Sequence, residues 1–329
     1  MKRTSLRRFA APAAAVAALA LTLAACGGNN ENDGGGDGDA SLSGSVAVDG
    51  SSTVGPLSAA ASELFTAENA DARITVGESG TGGGFEKFCA GETDMNDASR
   101  PIDEEEEVPL CEKNGVEYQE MVVANDALTV IVPTSNDWAT CLTTDQLKTI
   151  WEPKADGEVT TWNQVDPSFP DVALDLYGPG TDSGTFDYFT DEINGEEGAS
   201  RADYTPSEDD NIIVEGVSGS EGGLGYLGFT YYEQNTDSLN AVEIDAGDGC
   251  VAPSADSVQD GTYTPLGRPL FIYPAVASMT DNDTFAALVE FYVANDAEIA
   301  EAAQFIPLSE DQKSTLDSEL ADLKSAAGL

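Results

Sequence analysis

Apolar positions along this chain recur with two periods, and the two alternate. Short β-branched runs predict strands, and stretches with apolar residues three and four apart predict helices. SVAV at 45–48 predicts the first strand. Leu57, Ala61, Leu64 and Phe65 then share one helical face, RITV at 73–76 predicts a second strand, and Phe85 and Phe88 belong to a second helix. MVV at 121–123, LTVIV at 128–132, ALDLY at 173–177, IIV at 212–214, GYLGF at 225–229 and PLFIY at 269–273 predict further strands. Thr143 with Gln146 has capping-box spacing ahead of Leu147, Ile150 and Trp151, and Ser309 with Gln312 has it ahead of Leu316, Leu320 and Leu323. Phe186, Phe189 and Ile193, and later Phe285, Leu288, Val289 and Tyr292, mark two more helices.

Alternating strands and helices predict an α/β fold, and 329 residues exceed one ordinary core, so two lobes are expected. LTVIV and PLFIY, far apart and strongly strand-like, are the candidate segments crossing between lobes. This gives a first lobe of 42–130 plus 269–329 and a second of 131–268, with no internal repeat.

The front of the chain breaks both periods. Lys2, Arg3, Arg7 and Arg8 precede an Ala-rich apolar run that ends LAAC at Cys26. Residues 1–26 therefore predict an export signal with a lipobox-like end, lipidated at Cys26. The Arg7–Arg8 pair is a weak hint of twin-arginine export, and the general route is favoured. Residues 27–41, GGNNENDGGGDGDAS, have the composition of a solvated tether. No later apolar run approaches the roughly 20 residues a membrane-spanning helix needs. The expected location is the outer face of the cell membrane, held by the lipid alone.

Charge narrows the partners. The chain has 60 Asp+Glu against 14 Lys+Arg, and removing the four bases of the leader leaves ten. Nucleic acid, which demands clustered bases, is excluded as a partner. A small anion is not excluded, but its site has to work by local hydrogen-bond donors rather than by long-range attraction. The chain has no histidine, which removes Ser-His-Asp and Cys-His nucleophile systems and the commonest metal ligand. Cys89, Cys111, Cys141 and Cys250 lack any C-x-x-C pair, and an even number in an exported chain predicts two disulfides. Of the three pairings, Cys89–Cys111 and Cys141–Cys250 are favoured because each nests inside one inferred lobe.

Three strand-to-helix turns share one chemistry: GSSTVGP at 50–56, GESGTGGG at 77–84 and GTDSGT at 180–185. Helix starts leave amide hydrogens unpaired, glycine lets backbone approach a ligand, and hydroxyls add donors. Ordinary capping explains any one of them. Three in one chain predict a cage for an oxyanion. GESGTGGG lacks the Lys-Ser/Thr of a nucleotide P-loop. A fourth element, NDASRPI at 96–102, carries Arg100, whose guanidinium suits a tetrahedral oxyanion; a structural ion pair is the competing reading.

Together DGSSTVGPL, SGTGGGFEKFC, GETDMNDASRPI, the WEP at 151–153, GPGTDSGTFDYF and GYLGFTYY resemble the phosphate-binding lipoproteins that feed the phosphate-specific ABC importer. The resemblance runs from about Ser45 to the tail. It implies a hinged, two-lobed periplasmic-binding-protein-like fold, each lobe a sheet flanked by helices, closing on inorganic phosphate. Carried over by motif, Ser52, Thr53 and the Val54 amide come from the first turn. Thr81, with Ser79 and Gly80, comes from the second, and Ser183, Gly184 and Thr185 from the third. It also implies an ABC permease as partner, no cofactor, no catalysis and, by default, a monomer. One departure stands out. Many members carry Asp where Arg100 stands, to accept the phosphate proton, and Arg where this chain has Pro179. Glu78, Asp97 and Asp182 are the candidates for that acceptor by position. Rival expectations are another oxyanion such as sulfate or molybdate, an enzyme using Ser183, and a surface protein or phosphate sensor.

Overall fold

The computed structural model describes residues 42–181 and 183–329; the leader, Cys26, the tether and Asp182 lie outside the described residues. The first elements are β1 (Ser45–Gly50), α1 (Gly55–Glu68), β2 (Arg73–Val76), α2 (Thr81–Cys89), β3 (Met95–Ala98), α3 (Glu107–Asn114) and β4 (Met121–Pro133). Then come β5 (Cys141–Thr143), α4 (Thr144–Trp151), α5 (Trp162–Val165), β6 (Asp175–Gly178), α6 (Gly184–Phe189), β7 (Thr205–Pro206), α7 (Asp210–Gly219), β8 (Gly223–Gly228), α8 (Phe229–Glu233), β9 (Leu239–Ala241), β10 (Glu243–Asp245), β11 (Cys250–Val251) and α9 (Ala255–Gln259). The chain returns through β12 (Gly267–Pro274) to α10 (Val276–Asp281), α11 (Asp283–Ala294), α12 (Asp296–Ala302) and α13 (Glu310–Ala327). Both expected capping boxes form, at Thr143/Gln146 and at Ser309/Gln312.

The strands run in the order β2-β1-β3-β12-β4-β8-β6-β7, with β9 also on β4, and a small sheet β11-β10-β5 stands apart. β4 joins the two halves. Its Met121–Ala127 stretch pairs antiparallel with β12, and its Leu128–Ile131 stretch pairs antiparallel with β8. The cores follow that division. Val46, Leu57, Phe65, Leu270, Phe285 and Leu316 fill one; Leu128, Trp151, Trp162, Tyr226, Leu266 and Ile306 fill the other. The disulfides are Cys89–Cys111, beside Phe85 and Phe88, and Cys141–Cys250, tying β5 to β11.

Three local expectations change. MVV and LTVIV are one strand, because the Asn125 and Asp126 between them find partners. Asn125 exchanges backbone hydrogen bonds with Ile306 (2.9 Å each) and side-chain bonds with Gln312 (2.9 and 3.1 Å). These bonds hold a third passage between the halves, since Phe305 packs on the first core and Ile306 enters the second. IIV at 212–214 is helical: the Asp209 side chain accepts the Asn211 amide hydrogen, and α7 buries Ile213 and Val217 while Ile212 stays 50% exposed. Four-residue spacing on one face outweighs β-branching there. Finally, PLFIY does not cross between halves, since β12 pairs only with β3 and the first part of β4. The crossing there lies just ahead of it, between Leu266 and Leu270.

Candidate functional site

The two parallel neighbours of β1 bring the first two turns together. β1 ends at Gly50, and the Ser51 amide donates to the Asp97 carbonyl (2.9 Å). The Ser51 carbonyl accepts the amide hydrogens of Val54 (3.1 Å) and Gly55 (2.9 Å), and its Oγ accepts that of Thr53 (3.2 Å). Ser51 thus organises the start of α1 and leaves the Ser52 and Thr53 side chains facing outward. In the second turn the Ser79 amide and hydroxyl both donate to Asp49 Oδ1 (3.0 and 2.5 Å), and the Gly80 amide donates to the Gly50 carbonyl (2.9 Å). Thr81 Oγ1 accepts the Ser99 amide hydrogen (3.2 Å) and shares a hydrogen bond with the Ser99 hydroxyl (3.1 Å), which links this turn to the end of β3. α2 approaches so closely that a β-carbon on Gly84 would lie 2.1 Å from Asn96 Oδ1 and 2.5 Å from the Gly50 Cα. Only glycine permits that contact.

The third turn comes from the other half. Ser183 Oγ accepts the Thr185 amide hydrogen (3.2 Å) and so caps α6. Gly184 faces the first turn: a β-carbon there would lie 2.8 Å from Thr53 Oγ1 and 3.4 Å from Ser52 Oγ. A cavity of about 600 Å³ opens at this meeting point. Of the residues singled out from sequence, Ser52, Thr53, Glu78, Ser79, Gly80, Thr81, Arg100 and Gly184 line it. Ser183 and Thr185 flank Gly184 without lining it. Val54 is fully buried behind its turn, its amide hydrogen already accepted by Ser51. A larger cavity of about 790 Å³ runs along α1 past Phe229 and Phe305. Its wall is mainly apolar and lacks the second glycine turn, so the smaller cavity is the better candidate for a polar ligand.

The charges in the site differ from the expected set. Arg100 donates to both oxygens of Glu107 (2.8 and 2.9 Å), the structural ion pair that sequence left open, and its side chain is 46% exposed. Arg268, at the start of β12, also lines the cavity and is far more enclosed, at 16%. Its Nη2 donates to Thr53 Oγ1 (3.1 Å), and its Nε and Nη2 both reach Asp126 Oδ2 (3.3 Å). Nη1 meets the Ser99 carbonyl at 3.4 Å, and the guanidinium lies 3.5 Å over the Tyr188 ring. Sequence gave one signal for it: Arg268, like Arg100, is a rare arginine followed by proline.

Carboxylates complete the wall: Glu78 from the first half, Asp187, Asp191, Glu192 and Glu197 from the second. Burial, reinforced by Glu197, raises the Asp187 carboxyl. Burial and Asp191 raise Glu192 against the pull of Arg268. Asp97 does not line the cavity. It is wholly buried beneath the first turn, where Oδ1 accepts from Ser58 Oγ (2.8 Å) and Oδ2 has no partner. Burial, with the nearby charges of Asp49 and Glu78, pushes its carboxyl up to about 8. Burial thus favours the protonated form of Asp97, which sits beneath the first turn and not on the cavity wall.

The chain matches the PBP superfamily domain over residues 35–296. It is 48% identical over 269 residues to the protein SphX of Synechocystis, covering 82% of this chain and 80% of that one. It is 39% identical over 281 residues to the phosphate-binding protein PstS of Staphylococcus saprophyticus, covering 85% of each. Among solved structures, a possible phosphate binding protein from Planctomyces limnophilus is 43% identical with a TM-score of 0.81, over 86% of this chain and 99% of that one. With its two-part sheet, its converging turns and relatives this similar, the chain belongs to the PBP superfamily, in the family that contains the phosphate-binding protein PstS.

Proposed function

We propose that this protein is an extracytoplasmic binding protein that holds inorganic phosphate in the cavity between its halves and delivers it to an ABC-type importer, without catalysing a reaction. The observation that carries the reading is the meeting of Thr53 with Gly184, which sets donor turns from both halves against one cavity. A ligand held by both halves favours the closed arrangement, because only that arrangement makes both sets of bonds. Ser52, Thr53, Ser79, Gly80, Thr81 and Gly184 surround the anion, with Ser183 and Thr185 fixing the third turn, while Arg100 stays paired with Glu107. The lobes centre on 42–126 with 267–329, and on 127–266, with Ile306 also packing on the second, where packing changes sides along β4 and ahead of β12. Glu78 is the acceptor for a phosphate hydrogen, with Asp187 and Glu192 on the wall from the other half. Such an acidic wall disfavours fully deprotonated sulfate, whose oxygens cannot donate. Cys26 carries a lipid that holds the mature, monomeric chain at the outer membrane face, which mass spectrometry of the membrane-extracted protein reads directly. Among the described residues no helix is long and apolar enough to cross a membrane.

The functional reading is tested by calorimetric titration of the purified protein with phosphate, sulfate and molybdate. Tight phosphate binding with no heat from sulfate is expected. Preference for sulfate or molybdate would move the assignment to another oxyanion, and no binding of any anion would end it.

A further inference from the structure

We propose that Arg268, rather than Arg100, is the cation that grips the bound oxyanion, and that it is released to the anion from Asp126 while Tyr188 keeps its guanidinium plane in place. The inference rests on the phosphate-binding reading and deepens it.

The two arginines differ in how firmly they are already held. Arg100 meets both oxygens of Glu107 at 2.8 and 2.9 Å and donates to the Pro101 carbonyl as well (3.0 Å). That is the short, two-pronged arrangement in which guanidinium and carboxylate satisfy each other best. Taking Arg100 away would leave the Glu107 charge without a cation, held only by the Asp103 amide hydrogen (2.7 Å). Arg268 instead makes two 3.3 Å contacts to a single oxygen of Asp126 and one of 3.4 Å to a carbonyl, past the length of a good N–H···O bond. An oxyanion offering bonds of about 2.8 Å outcompetes contacts of that length.

Position favours Arg268 as well. Its Nη2 already bonds Thr53 Oγ1, the hydroxyl that faces Gly184, so the cation lies where the two halves meet. Its shorter exposure to water makes each charge-assisted bond stronger than at the half-open Arg100. Tyr188 belongs to the second half and Thr53 to the first, so Arg268 touches both, and its own strand begins just after the chain has crossed between them. Asp126 sits in β4 at the corresponding crossing and is itself buried. In the unliganded cleft it balances the arginine; with the anion bound, the one positive charge of the guanidinium turns from Asp126 to the anion.

The test is phosphate titration of the full-length protein and of Arg268→Gln, Arg268→Lys, Arg100→Gln and Asp126→Asn, with thermal melts alongside. Arg268→Gln is expected to weaken phosphate binding by about a hundredfold, Arg268→Lys by less because it keeps the charge but not the planar stack, and Arg100→Gln by under about threefold. Asp126→Asn is expected to tighten binding several-fold, since it removes the competing carboxylate. A purely structural pair would instead weaken binding on losing either partner. If Arg268→Gln fails to fold, the Lys variant and the sign of Asp126→Asn still decide. Binding by the unaltered protein with Arg268→Gln within threefold of it, or weakened binding by Asp126→Asn, overturns this inference alone. An unaltered protein that binds no phosphate overturns the functional reading and this inference with it.

Discussion

Asp97→Asn isolates the consequence of burying a carboxyl beneath the first turn. Asp97 is fully buried, and its side chain has one hydrogen bond, from Ser58, and leaves Oδ2 without a partner. Its carboxyl stands near 8 in the fold, against an ordinary aspartate value of 3.8 in the unfolded chain. Between those two values the folded chain holds a proton that the unfolded chain has lost. Stability therefore falls as pH rises, by about 1.4 kcal/mol per pH unit from this group. Asparagine has nearly the same shape, keeps an oxygen for Ser58 and does not titrate. The variant should match the natural protein near pH 4 and gain on it up to about pH 8. Across pH 5 to 8 that gain is about 4 kcal/mol at full strength. Every other carboxylate titrates in both proteins and drops out of the difference. Urea unfolding at pH 5 and pH 8 measures it. Parallel pH profiles for the two proteins, or a variant that loses ground as pH rises, would show that Asp97 is charged and solvated in the fold and would refute the reasoning.

Gly184→Ala should lower phosphate affinity by about tenfold or more, because its methyl group would lie 2.8 Å from Thr53 Oγ1, while the melting temperature of the unliganded protein changes little. Calorimetry beside a thermal melt tests this, and unchanged affinity would mean that the two turns do not close on a common ligand. Replacing Cys141 and Cys250 by serine opens a connection spanning 109 residues, against 22 for Cys89 and Cys111. Loop-closure entropy then gives losses of about 5 and about 3 kcal/mol, respectively. Denaturant midpoints of the two double variants should fall in that order, and the reverse order would show that local packing around Cys89 dominates.

The turns were legible because their chemistry is local. Small residues, hydroxyls and glycine between a strand and a helix announce an exposed helix start wherever they occur. The two capping boxes were legible for the same reason, since Thr143 and Gln146, or Ser309 and Gln312, satisfy each other within one turn. Segments whose state depends on distant partners are not legible in that way. IIV at 212–214 has the composition of a strand, but burial of Ile213 with Val217 fixes a helix, and β3 carries no apolar signal because Asn96 and Asp97 are polar although wholly buried.

Charge roles were the least legible, for a physical reason. Arg100 and Arg268 both precede a proline and both line the cavity, but sequence spacing says nothing about which carboxylate each one meets. Glu107, seven residues on, closes over Arg100 with two short bonds, while the partners of Arg268 lie 142 and 215 residues away. Asp97 likewise reads as a candidate proton acceptor in NDASRPI, and only the packing of α1 over β3 removes it from the cavity. By itself the sequence determined the α/β class, the absence of histidine chemistry and the three turns, all of which follow from composition or from contacts within a few residues. The tertiary structure alone decided which turns face each other, which arginine lies where the halves meet and which carboxyls burial raises, because those depend on solvent exclusion and on contacts between residues far apart in the chain.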